Sequence, residues 1–136
     1  MPTIYLISYS SDAVMNWAGE PYRHYKEVLR AVPRHALQLS SVACSSFTYP
    51  SLANGRRRRV LDAVFGEICM QDVNAQKAVE DAASEAREAM GKGAKTMLVE
   101  VECTGDAMRS RAVAEVLKEE LESFGVDVEL EHIRGK

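Results

Sequence analysis

No apolar stretch in this chain runs far without a charged or polar residue, so none has the length of a bilayer-spanning helix. The N-terminus lacks the basic-then-apolar pattern of a secretory signal, and a cytoplasmic location is therefore expected. Cysteine is scarce. Cys44, Cys69 and Cys103 form no CxxC pair and no Cys/His cluster, and an odd count argues against a disulfide framework, so thiols are expected and no metal site. Walker, GxGxxG and HExxH motifs are all missing, which removes the commonest nucleotide and zinc readings and leaves no cofactor to expect. Positive charge is not in excess either. With 17 Lys and Arg against 20 Asp and Glu the net charge is −3, so any nucleic-acid contact would have to come from a local patch. No internal repeat is present, and nothing in the composition selects an oligomeric state.

What remains is 136 residues of 46% apolar composition, enough for one domain with a real core, residues 1–136. Residues 3–8 form a β-branched and aromatic run that predicts a buried first strand. Tyr22, Tyr25, Val28, Leu29 and Val32 follow helical spacing between Pro21 and Pro33, which predicts a helix over 20–32. A second strand is expected over 36–42, followed by a loop over 43–55, rich in Ser, Pro, Asn and Gly and longer than an ordinary connection. Residues 57–70 and 72–90 then read as two helices, the second rich in alanine and stopped at Gly91-Lys92-Gly93. A central strand over 96–101, a helix from about Ser110 to Gly125 and an alternating strand over 126–131 complete the order. The fold class expected is α/β: a single three-layer domain with a mostly parallel sheet and a strand-loop-helix anion site.

That site is the run Cys103, Thr104, Gly105, Asp106, Ala107, Met108, Arg109 and Ser110, where the central strand turns directly into a helix. A short loop entering a helix aims backbone N–H groups at one spot, and the helix dipole adds partial positive charge there. Arg109 and the hydroxyls of Thr104 and Ser110 supply further donors, a guanidinium being well shaped for two phosphate oxygens. The expected partner is a phosphorylated small molecule.

Residues 101–115 resemble the C-T-G-G-x-H-R-S signature of the C-terminal domain of the RapZ RNase-adapter family. Cys103, Thr104, Gly105, Arg109 and Ser110 match it; Ala114-Glu115 sits where the family has an Ala-Glu-containing helix, and His132 stands at the end of the last strand as in the family. Asp106 replaces a family Gly, Met108 replaces a His, and Ile133 interrupts the family's His-Arg pair. The likeness spans roughly the whole chain, is specific over 101–115 and is weak over 36–72. It implies a phosphosugar or other phosphate-bearing ligand at these residues and at His132, for which a plain edge histidine is the competing reading. Characterised members sense glucosamine-6-phosphate and present small RNAs to an endoribonuclease, so RNA is a further expected partner. The nucleotide-binding half of the family's full-length proteins has no counterpart in this sequence, and no ATPase activity is expected.

The same eight residues also fit C-x5-R-S, the loop of cysteine phosphatases. In that reading a thiolate at Cys103, favoured by the helix N-terminus and Arg109, attacks phosphorus while loop amides hold the equatorial oxygens. Against it, low-molecular-weight phosphatases carry the loop after their first strand, and no Asp-Pro pair exists here to serve as their general acid. A plain strand-helix turn that binds only adventitious anions is the remaining alternative.

Arg56, Arg57, Arg58 and Arg59 are the densest positive charge and, with Arg134 and Lys136, the residues from which an RNA surface would be built; a solvated helix start is the competing reading. Ser45, Ser46, Thr48 and Tyr49 offer hydroxyls in the long loop, where turn chemistry is the simpler use. His24 and His35 read as surface residues, Cys44 and Cys69 as small apolar side chains, and Met15 and Trp17 as cover for the core edge.

Overall fold

Alternate residues of the first strand divide between two cores, and that division organises the molecule. The structure, a computed structural model, describes residues 1–10, 23–44, 72–103 and 108–133. In β1, Thr3–Ser10, the side chains of Ile4 and Leu6 enter the larger core and those of Ile7 and Tyr9 enter a second core on the other face, all of them buried. The first helix, α1, Arg23–Ala31, lays Tyr25, Val28 and Leu29 on the second core. Two very short strands follow, β2 at Leu37–Gln38 and β3 at Val42–Ala43. The single strand expected over 36–42 is thus divided. The physical reason is a slip in register: Gln38 stands opposite Leu98 but Val42 opposite Val101, so the segment between them carries one residue more than the strand it faces and leaves the ladder, where the Ser40 N–H donates 2.5 Å to Glu85.

Glu85 belongs to α2, Val73–Gly91, which begins at the cap of Asp72, whose carboxylate accepts 2.8 Å from the Asn74 N–H. Its buried face is Ala75, Val79, Ala83, Ala86 and Ala89, mostly small residues that let its backbone come close to that of the last helix, Met108–Glu122. Gly93, at φ +96°, takes the left-handed conformation that ends the helix, and its N–H donates back to Met90. Strand β4, Thr96–Cys103, sends Met97, Val99, Val101 and Cys103 into the larger core. Helix α3, Met108–Glu122, buries Ser110, Val113, Ala114, Leu117 and Leu121 along one stripe. It starts two residues earlier than the apolar spacing predicts, so Arg109 and Ser110 lie in its first turn. Strand β5, Asp127–His132, closes the order with Asp127, Glu129 and Glu131 exposed.

Every strand pairing among the described residues is parallel, in the order β2-β4-β1-β5, with β3 also on β4. Helices cover both faces, α1 on one and α2 with α3 on the other, which makes the protein an α/β fold of three layers. The arrangement follows from the handedness of crossovers. The chain moves one way across the sheet from β1 to β2, then back from β3 to β4 and on to β5, and a right-handed connection must change faces when the direction reverses. Among the described residues no helix is long and apolar enough to cross a membrane. The helix expected over 57–70, the loop hydroxyls Ser45, Ser46, Thr48 and Tyr49, and Met15, Trp17 and Cys69 lie outside the described residues.

Candidate functional site

The connections leaving β1 and β4 go to opposite faces of the sheet, and these two strands are neighbours. Between such a pair the carboxyl ends open into a crevice, the switch point where open parallel sheets hold their ligands. Ser10 and Cys103 are register partners there, each the last residue of its strand.

Along the face of β1 that meets α3, the residues run Ile4, Leu6, Ser8, Ser10: apolar at the amino end, hydroxyl at the carboxyl end. Both serines are buried, as is Ser110 in the first turn of α3, so three hydroxyls are held away from water in one quarter of the fold. Buried hydroxyls need partners. Cys103 Sγ donates to Ser110 Oγ over 3.3 Å, tying the end of β4 to the helix that follows it. Arg109, beside Ser110 in that first turn, is half-buried and has its Nε enclosed. Thr104, Gly105, Asp106 and Ala107 lie outside the described residues, and Met108 is placed only as the first residue of α3.

His132 ends β5 beside Ser8 in register. Its Nδ1 is hydrogen-bonded to Ser8 Oγ, and its Nε2 lies 2.9 Å from Glu115 Oε1 in the second turn of α3. Because the carboxylate accepts, Nε2 carries the hydrogen, and in the neutral ring Nδ1 then accepts from the serine. The Ile133 N–H donates 2.8 Å to the Ser8 carbonyl and continues the ladder past the histidine. Strand order thus brings His132 to the same end of the sheet as Cys103, Arg109 and Ser110. Arg56, Arg57, Arg58, Arg59, Arg134 and Lys136 lie outside the described residues.

Sequence reasoning missed Ser8, Ser10 and Glu115 as members of this cluster. The available signal was the change from apolar to hydroxyl side chains at alternate positions of β1. A second polar group on the opposite face was missed as well. Tyr25 donates 2.7 Å to Glu100 Oε1, Gln38 donates 2.9 Å to Glu100 Oε2, and Tyr9 donates 3.3 Å to Glu102. The two tyrosine rings meet at 5.3 Å between centroids. Burial, then the bond to Glu100, pushes the Tyr25 phenol up to about 12, and burial followed by the charge of Glu100 carries Tyr9 well above the ordinary tyrosine range. Both phenols stay protonated donors: Tyr25 pins α1 to β4, and Tyr9 ties the end of β1 to β4. His24 is half-buried at the surface, on the rim of a cleft between α1 and β5.

Among the described residues no group of three or more His, Cys, Asp or Glu side chains stands where it could hold a metal ion. No protein-family model, curated protein or solved structure matches the chain.

Proposed function

We propose that this protein binds a small phosphate-bearing ligand, a phosphosugar or nucleotide, at the carboxyl end of its sheet. The observation that carries this reading is the position of Cys103: last residue of β4, paired with Ser10 at the switch point of a parallel sheet, and leading within a few residues into α3. Helix N–H groups and the Arg109 guanidinium supply donors and positive charge for a phosphate. The buried hydroxyls of Ser8, Ser10 and Ser110 form the polar floor beneath, and His132, oriented by Glu115, borders it. Binding without turnover, as a sensing domain, is the reading adopted. RNA contact through Arg56, Arg57, Arg58, Arg59, Arg134 and Lys136 belongs to the same proposal and rests on the sequence.

Isothermal titration with glucosamine-6-phosphate, adenosine monophosphate and inorganic phosphate tests it. At least one compound should bind with Kd below about 1 mM, and Arg109→Ala should weaken it about tenfold or more, since a hydrogen bond to a charged group contributes about 1.5–3 kcal/mol. Failure of all three to bind in that range overturns the proposal.

A phosphatase is the second reading, favoured by one contact. A Ser110 hydroxyl 3.3 Å from Cys103 Sγ is placed to donate to a thiolate once the thiol proton has left. Hydrolysis of an aryl phosphate that disappears in Cys103→Ser, with folding retained, would establish it; absence of turnover in the unsubstituted protein removes it.

A further inference from the structure

On the opposite face of the sheet from Cys103, among the described residues, α1 leaves the edge strand partly uncovered. A cleft of about 330 Å³ opens between α1 and β5, within the range of small-ligand pockets, about 300–1,000 Å³. Its floor is apolar, built from Ile7 and the ring of Tyr5 on β1 with Val28 and Val32 from the helix side. Its outer wall is β5. Glu129 is the register partner of Tyr5 and Glu131 of Ile7, so both carboxylates stand on this face, two residues apart, beside the apolar floor. Both are exposed, and among the described residues no hydrogen bond or ion pair engages either.

We propose that this cleft binds a small organic cation, a protonated amine carried on a hydrocarbon body. The complementarity is specific to that chemistry. Two neighbouring carboxylates without a counter-charge repel each other and gain from a cation placed between them. An aromatic ring, that of Tyr5, lies in the same lining, where aromatic faces attract cations, and the apolar floor takes the hydrocarbon portion. Anions are repelled by the wall, and a neutral analogue keeps only the floor. Glu27 and His24 also border the cleft, so the mouth carries a third carboxylate and one imidazole.

Amide NMR titration of the whole chain with phenethylammonium, phenethyl alcohol and phenylacetate reads the proposal directly. Phenethylammonium should give saturable shifts centred on Tyr5, Ile7, Val28 and Glu129, weaker at higher salt, with the alcohol binding at least about tenfold more weakly and phenylacetate not at all. Glu129→Gln combined with Glu131→Gln should weaken the amine roughly three- to tenfold, the range for exposed charge pairs, while the dispersion of the amide spectrum stays that of the folded protein. Should the double variant lose its folded spectrum, Glu129→Gln alone carries the same comparison. No saturable shift by about 10 mM, equal binding of amine and alcohol, or an affinity unchanged by the glutamines would each overturn it, and the carboxylates would then serve only to keep a sheet edge soluble.

Discussion

Cys103 and Ser110 are joined by a hydrogen bond of 3.3 Å between side chains that are both buried, across the turn from β4 into α3. The bond fixes the first turn of the helix against the end of the strand, which any ligand held by that helix terminus requires. Ser110→Ala should destabilise the fold by about 1 kcal/mol and Cys103→Ala by about 1–2 kcal/mol. The double variant should fall short of the sum by about 0.5–1 kcal/mol, because the two residues share one contact. Urea unfolding of the four proteins gives the cycle, and strict additivity would dissolve the coupling claimed here.

The tyrosine anchor on the other face predicts an alkaline transition. A phenol raised from 10 to about 12 in the folded state holds its proton more tightly there than in the unfolded chain, so its stabilisation is complete below pH 10 and is lost as pH climbs through about 12. Stability measured by denaturant midpoint should therefore decline between these values. Tyr25→Phe should lower stability by about 1–2 kcal/mol at neutral pH and flatten that decline, leaving the share due to Tyr9. An alkaline profile identical in the two proteins would contradict the anchor.

Packing along α2 and α3 sets three contrasting expectations. Ala86 is fully buried in the larger core, and Ala86→Leu should cost about 1–3 kcal/mol through overpacking. Leu117, fully buried in the stripe of α3, should cost about 2–5 kcal/mol when cut to alanine. Val73, 73% exposed at the start of α2, should tolerate alanine within about 0.5 kcal/mol. Thermal melts order the three, and a large effect at Val73 would contradict its exposure.

If RNA is a partner, its affinity must come from local basic residues, since the net charge is −3. Filter binding of structured RNA should then weaken with salt at a log–log slope of about −0.7 per phosphate contacted on a single strand. Replacing Arg56, Arg57, Arg58 and Arg59 by alanine should reduce both affinity and slope. A salt-insensitive signal, or one indifferent to those substitutions, excludes this surface.

How far the sequence foretold this molecule depended on how local each signal was. The strand at 96–103, the capped alanine helix at 73–91 and the alternating strand at 127–132 are periodic over their own lengths, and their faces emerge where the periods place them. The interruption between β2 and β3 was not legible, because it is a one-residue slip in register against β4, a strand far downstream. The same holds at the candidate site. Cys103, Arg109 and Ser110 stand within one short motif, whereas Ser8 meets His132 only because the strand order seats β1 beside β5. The tyrosine and glutamate cluster was hidden for the same reason, since Tyr25 and Glu100 share a face only once α1 has crossed the sheet.

The strand order also fixes when the protein can fold. β1 is made first and sits inside the sheet, yet its neighbours are distant: Tyr9 meets Glu102 across 93 positions, and Ser8 meets His132 across 124. A growing chain emerging from the ribosome therefore carries an apolar strand with no ladder to join until β4 has followed it, and no partner on its other side until β5 has. Such high contact order slows acquisition of the native state, and it makes the nascent chain, more than the finished molecule, the form that needs shielding by chaperones.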